Sequence, residues 1–394
     1  MRIIHTSDWH IGRTFHGHST DAHLEIALSA IVAQVTAHSV DAVVIAGDVF
    51  DSSTPKAEAF TLLNRIIGSI REAGATVVLT SGNHDGPARL GHMADFAAFG
   101  GVHLRTDLAA LAEPVLLEDA HGPVAIYGIP YIHPEFLRAA IPDFTGTTHE
   151  QALSFAMDLI RDDADARRQA SPALRTVVAS HCFAAGVNAT TEDSGHAEER
   201  DITRGGLNLV PVEVFDGVDY VALGHIHGQQ TLREHARYSG APLRFSFGER
   251  SSAKGTWLVD LGPGGLESVA WLELPTPRAA VRIEGTLEDL LADDSHPEAI
   301  DAWVEAVLTD DQLPREAMRR LQTRYPHAVT LAHRPATVHD HGEATYATRV
   351  EGRTDAQVID EFLEFVRNGQ RPTEAERTLL HDALEAMEAE ESTR

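Results

Sequence analysis

The chain has 394 residues, enough for two or three domains with substantial cores. It is 43% hydrophobic and 23% charged, as in soluble globular proteins, and no apolar run approaches the ~18 residues of a membrane span. A formal net charge of −27 argues against broad nonspecific DNA binding through Lys and Arg. Any nucleic acid would have to meet local positive charge, from bound metal, clustered arginines or a partner subunit.

The opening MRIIHTSDWH meets Asp and His too early for a signal peptide, and the single cysteine, Cys182, fits a reducing compartment. The expected location is the cytoplasm, with no membrane contact. RIIHT is read as a strand, followed by a helix over about 21–38. DAVVIAG is a second strand, and Pro55 is placed as the first residue of a helix reaching about Ala73. ATVVLTSG precedes a helix over Pro87 to Phe99. β-like runs follow at EPVLLE and VAIYGIP, then a helix from about Thr148 to Gln169, then strands at RTVVAS and DYVALG. This alternation predicts a layered α/β domain whose helices cover sheet faces.

From Thr231 to Leu274, short strands with Gly and Pro turns predict a β-rich edge. PTP at 275–277 is read as a boundary. Residues 278–333 read as a small α/β unit: the strand AAVRIEG, helices near 286–325, and the strand AVTLAH. A polar linker follows, and two helical segments cover about 355–367 and 373–390. Each carries one apolar stripe: Val358, Ile359, Phe362, Leu363 and Val366 in the first, Leu379, Leu380, Ala383, Leu384 and Met387 in the second. The expected division is 1–276, 277–334, 335–354 (linker) and 355–394.

Five apolar β-runs end in polar clusters: SDWH (7–10), GDVFD (47–51), GNHD (82–85), SHCF (180–183) and GHIH (224–227). Sites in α/β sheets gather beyond the carboxyl ends of strands, so these five ends are expected to converge. Chance is a poor account, since GNHD alone is expected on the order of 0.002 times in a chain of this composition. Carboxylate, imidazole and amide oxygen together suit a borderline divalent ion such as Mn²⁺, Fe²⁺ or Zn²⁺. Calcium would want more oxygens, and structural zinc would want cysteines. Seven ligands exceed one metal's needs but suit two ions bridged by a carboxylate, which can activate water and clamp a phosphoryl group.

These motifs resemble the calcineurin-like metallophosphoesterases, whose pattern is D-x-H, G-D, G-N-H-[DE], H and G-H-x-H. IIHTSDWHIG, VDAVVIAGDVFD, SGNHDG and DYVALGHIH, with YSGAP after them, are similar to a narrower branch, the SbcD-like DNA-repair nucleases. The resemblance implies a layered metallophosphoesterase fold over 1–276, a small α/β capping domain contacting DNA over 277–334, and a C-terminal helical hairpin over 355–394. It implies that one metal takes Asp8, His10 and His227, and the other Asn83, His181 and His225, with Asp48 bridging. His84 is then not a ligand but the catalytic residue facing the phosphodiester. Asp85 would orient His84 or cap the turn. The implied cofactors are two divalent ions, Mn²⁺ by expectation. The implied partners are DNA and an SbcC-type ATPase that binds the C-terminal helices, with a homodimer inside a heterotetramer. The chain itself has no G-x-x-x-x-G-K-[ST] loop for ATP.

Other polar and aromatic residues are read as structural. Cys182 is expected to be a small buried hydrophobe, His5 a packed hydrogen-bonded residue, and His16, His18, His92 and His121 surface or turn residues. Trp9 and Phe50 are expected to wedge around the metals rather than stack on bases. The polar segment 188–206 is read as a functional loop in which Arg200 and Arg204 could reach substrate phosphate. Two alternatives to a DNA nuclease stand: a metallophosphoesterase for nucleotides or phosphoproteins, and a non-catalytic scaffold. Intact ligands with His84 count against the scaffold, and the extra residues 278–394 count against a minimal phosphoesterase.

Overall fold

The run Ala42–Ala46 is buried along its whole length in the computed structural model, with alternate residues entering different cores. Val43 and Ile45 face one, Ala42 and Val44 the other, which is why the run is continuously apolar rather than alternating. The structure describes residues 1–185, 209–292, 294–335, 352–367 and 369–391. They divide into two units, 1–278 and 279–394.

The first unit opens with β1 (Arg2–Thr6), the short pair β2 (Thr14–Phe15) and β3 (His18–Ser19), and β4 (Ala42–Ala46). Next come β5 (Thr76–Thr80), β6 (Val102–Arg105), β7 (Val115–Asp119), β8 (Gly122–Ile129) and β9 (Arg175–His181). The short β10 (Ala184–Ala185) and β11 (Val210–Pro211) precede β12 (Tyr220–Gly224), β13 (Gln230–Arg233) and β14 (Ala236–Tyr238). β15 (Gly255–Gly262) and β16 (Gly265–Glu273) close the unit. Its main helices are α1 (Asp21–His38), α2 (Ala57–Glu72), α3 (Pro87–Leu90), α4 (Ala94–Phe99), α5 (Pro134–Ala140) and α6 (His149–Ala170).

Two six-stranded sheets stack face to face. One is ordered β16-β15-β1-β4-β5-β6 and the other β13-β14-β12-β9-β8-β7. Between them lies a core containing Ile3, Val44, Val78, Ile126, Val177, Ala222 and Val259. The outer face of the first sheet packs on α1 and α2 through Leu28, Ile31, Leu63 and Ile66. The outer face of the second packs on α6 through Ala156, Met157 and Ile160. The result is a four-layer α/β/β/α arrangement, the layered α/β class expected from the alternation. Within each sheet the central strands are parallel, so their carboxyl ends emerge at one rim.

Several boundaries differ from expectation. Helix α2 starts at Ala57 behind an extended Lys56, so Pro55 lies in the preceding loop. The segment Pro87 to Phe99 is two short helices, because Met93 takes a left-handed conformation at φ 66° after Gly91. Strand β6 and helix α5 were not expected. The strands of the 231–274 region are not all short, since β15 and β16 run 8 and 9 residues and pair with β1 and each other.

In the second unit β17 (Ala280–Gly285), β18 (Trp303–Leu308) and β19 (Ala328–His333) form a parallel sheet packed with α7 (Leu287–Leu291) and α8 (Ala317–Gln322). The expected helices near 286–325 are therefore interrupted by a strand. β18 is central and buried on both faces, so WVEAVL carries no clear period of two. The terminal helices run Asp355–Val366 and Glu374–Glu391. Arg367 makes two 3.0 Å bonds to Glu376, and Arg377 one to Asp360. The segment 188–206 with Arg200 and Arg204, and most of the expected linker, lie outside the described residues.

Candidate metal centre

Strands β1, β4 and β5 deliver their polar clusters at one level, because Thr6 pairs with Ile45 and Ala46 with Thr80. In the second sheet Gly224 pairs with His181, which sets the β9 and β12 clusters side by side. The loops then depart from ordinary backbone. Asp8, His10, Asp48 and His225 all have positive φ, at 54°, 45°, 48° and 109°. Non-glycine residues pay strain for this conformation, and such strain gathers at functional sites.

Two groups of donors face each other across Asp48. On one side His10 Nε2 and His227 Nε2 stand 3.0 Å apart, with Asp8 within 4.8 Å of both ligand atoms. On the other, Asn83 Oδ1 lies 3.1 Å from His181 Nε2 and 3.0 Å from His225 Nδ1. Asp48 Oδ2 lies between, 3.6 Å from His10 Nε2 and 3.4 Å from His181 Nε2. All seven expected ligands therefore converge, as two triads about one carboxylate.

The donor set fits divalent cations. His181 Nδ1 donates to the Ala46 carbonyl at 2.8 Å, which turns Nε2 toward the Asn83 oxygen. The Nδ1 atoms of His10 and His227 lie by carboxylates, Asp51 Oδ1 at 3.2 Å and Glu249 Oε1 at 3.4 Å. The Asp51 contact is within ion-pair reach but off the line of a hydrogen bond. With protons on those Nδ1 atoms, two Nε2 lone pairs point at each other, an arrangement that asks for a cation. Asp8 and Asp48 are buried, and neither pairs with Lys or Arg among the described residues.

Charge states differ between the rings: against the effect of burial, Asp48 and Asp8 raise the His181 pKa to about 9, so its Nε2 holds a proton that a cation would displace. Burial pushes the His225 pKa down to about 3, helped by the charge of His181, so its ring is neutral. Burial likewise lowers His10, against the pull of Asp51 and Asp48. For Asp48 burial acts upward, but the surrounding His181, His10 and His84 outweigh it and keep the carboxylate ionised.

His84 is half-buried at the rim of this cluster. Its backbone N–H donates to Asp48 Oδ1 at 2.9 Å, and its Nδ1 to the Asp51 carbonyl at 3.0 Å. A ring nitrogen of His84 also falls within 4.8 Å of the His10 and Asp48 ligand atoms. Asp85 does not orient that ring. Its carboxylate accepts from the backbone N–H groups of Gly82, Val49 and Phe50 at 2.9–3.1 Å, tying the GNHD turn to the GDVFD turn. Burial and the nearby Asp48 raise its pKa to about 6 against those three amides.

Sequence reasoning passed over the residues behind the ligands. Asp51 stands in a motif already noted, three positions after Asp48, and that spacing was the available signal. Glu249 and Lys254 carried none, since they lie in the plain stretch GERSSAK. Both are buried, ion-paired to each other, and Lys254 Nζ also donates to the His227 carbonyl at 2.8 Å. Ser7 donates to Asp8 and meets Ser239 Oγ at 2.8 Å.

The remaining expectations are settled by burial. Cys182 is buried, which pushes its thiol up to about 12 and makes it a poor nucleophile. His5 bonds to Tyr220 Oη at 2.9 Å and the Leu223 carbonyl at 3.1 Å. Trp9 and Phe50 belong to the core under the first sheet, and His16, His18, His92 and His121 are exposed.

The family described as calcineurin-like phosphoesterase matches residues 1–229. The family described as type 5 capsule protein repressor C-terminal domain matches 277–367. The SbcD subunit of the nuclease SbcCD from Escherichia coli K12 is 33% identical over 337 residues, 82% of this chain and 81% of that one. Its counterpart in Escherichia coli O157:H7 matches by the same figures. Among solved structures, a dimetal phosphatase from Danio rerio is similar at 14% identity and a TM-score of 0.38, over 70% of this chain and 98% of that one.

Proposed function

Because the chain belongs to the calcineurin-like phosphoesterases, and within them to the SbcD branch, we propose that it is a metal-dependent DNA nuclease working with an SbcC-type ATPase. The observation that carries the reading is the pair of donor triads about Asp48. Asp8, His10 and His227 would hold one divalent ion and Asn83, His181 and His225 the other, with Asp48 serving both. When bound, such a pair supplies Lewis-acid polarisation of a phosphoryl oxygen and a nucleophile from water at neutral pH. Imidazole-rich mixed ligation favours Mn²⁺ over Ca²⁺ and Mg²⁺.

His84 acts on the substrate. With Nδ1 committed to the Asp51 carbonyl, its Nε2 is the atom left to protonate the departing oxygen or to meet charge on the phosphodiester. Asp85 keeps the two turns in register and thereby holds Asn83, His84 and Asp48 in place.

Residues 277–334 are assigned to DNA contact and 355–394 to the ATPase. The support for the second assignment is surface chemistry. Phe362, Phe365, Val366, Leu379 and Met387 are exposed in the terminal helices, and the 11 acidic residues against 4 arginines over residues 355–394 make DNA a poor partner. A homodimer within a heterotetramer goes with this assignment. No helix among the described residues is long and apolar enough to cross a membrane. Together with the lone buried Cys182, this accords with a cytoplasmic site, which cell fractionation would check.

One experiment tests the set. The full chain and a chain ending at Arg353 are assayed in Mn²⁺ on duplex DNA ends, cyclic nucleotides and phosphopeptides, and each is then mixed with the ATPase. Both should cut DNA ends in preference to the other substrates, and only the full chain should bind the ATPase. Faster turnover of a cyclic nucleotide or phosphopeptide would replace the nuclease by a different phosphoesterase. Undiminished ATPase binding by the shortened chain would move that contact elsewhere.

A further inference from the structure

The two triads are supported unequally. Behind the first, each imidazole meets a carboxylate on its outer nitrogen: Asp51 at His10, 3.2 Å, and Glu249 at His227, 3.4 Å. Each carboxylate is anchored in turn by a cation, Asp51 by Arg13 at 3.2 Å and Glu249 by the buried Lys254. The outer carboxylates are thus fixed acceptors rather than free negative charge. Glu249 accepts the His227 Nδ1 proton, and Asp51 favours a proton on His10 Nδ1 by its charge at ion-pair distance, so both Nε2 lone pairs turn inward. Behind the second triad, among the described residues, His181 has only the neutral Ala46 carbonyl, and His225 turns its Nδ1 inward to the exposed Asn83.

The ligands themselves are unequal in the same direction. The first triad brings the carboxylate of Asp8 in addition to the shared Asp48, whereas the second brings the neutral amide of Asn83. Asp8 is also preset: it accepts from Ser7 and from the His225 backbone N–H at 3.0 Å, and it is fully buried. Asn83 stands at the solvent edge of the GNHD turn. A position with one more carboxylate ligand and locked imidazoles pays less to assemble around an ion.

We infer that the two positions load in order, the Asp8–His10–His227 position first, with Asp51 and Glu249 as the positioning residues that make it the tighter one. This rests on the two-metal reading above. Outer-shell partners of ligating histidines are worth about 10–100-fold in metal affinity.

The test is a titration of the metal-free full chain with Mn²⁺ alone, followed by electron paramagnetic resonance and by competition with a chelator. One equivalent should give the spectrum of an isolated Mn²⁺, and a second should convert it to that of a coupled pair. Asp51→Asn should weaken the first step by about 10–100-fold and leave the second near its wild-type value. Glu249→Gln strands Lys254 in the interior, so the paired variant Glu249→Gln/Lys254→Met is measured beside it and should weaken the same step. A coupled signal from the first addition, or a loss confined to the second step in these variants, overturns the loading order while leaving two metals in place. Binding of fewer than two ions overturns the two-metal reading itself, and the loading order with it.

Discussion

Gly82 shows why the residue before a ligand matters as much as the ligand. A Cβ on Gly82 would overlap the Asp48 carboxylate, and one on Gly224 would overlap the Ala46 carbonyl. The glycines of GNHD and GHIH are there so that adjacent loops can close on each other. Gly82→Ala should displace Asp48 and lower the Mn²⁺-dependent rate by about 10²-fold, the usual cost of a misplacement near 1 Å. A crystal structure of the variant with Asp48 unmoved, or an unchanged rate, would refute that explanation. The ligand types and their order were legible in the sequence because each closes a strand, and strand ends converge. The outer residues were not, because Glu249 and Lys254 reach His227 only after β15 has paired with β1.

At the scale of elements, runs such as VVLT and TVVAS reveal buried parallel strands by composition alone. The misread elements are those whose neighbours decide them. β18 looks helical until it is placed between β17 and β19, and the Pro87 to Phe99 segment looks continuous until Met93 breaks it. The tie between the two sheets was also invisible. The N-terminal ammonium, before β1, lies 2.6 Å from Asp119 at the end of β7. Arg175, at the start of β9, bonds to Asp119 at 2.6 Å and 3.0 Å and to the Gly122 carbonyl at 2.6 Å. The bonds from Arg175, joined by the terminal ammonium and opposed by partial burial, hold the Asp119 carboxyl well below its usual 3.8. A carboxyl depressed in the folded state adds stability above its unfolded pKa and loses it as pH falls towards the folded value. Asp119→Asn should therefore melt a few degrees below wild type at pH 7. The gap should narrow as pH drops below about 4, where the wild-type carboxyl begins to lose its advantage. Melting curves that stay equally separated from pH 7 to pH 3 would show that charge is not what ties the sheets.

For the whole molecule, the formal charge of −27 and a polyanionic substrate are reconciled at one place, the rim where five strand ends meet. There, the seven proposed ligands converge, and bound cations would supply locally the charge that the chain lacks. We propose that His84 does chemistry at this rim without holding a metal. Its ring nitrogen lies close enough to His10 and Asp48 for either role, and a single variant distinguishes them. His84→Ala is loaded with Mn²⁺, its ions are counted, and its rate on duplex DNA ends is measured beside wild type. Two ions retained with a rate lower by about 10²–10⁴-fold is the predicted result. Loss of one ion, or a rate equal to wild type, would contradict it.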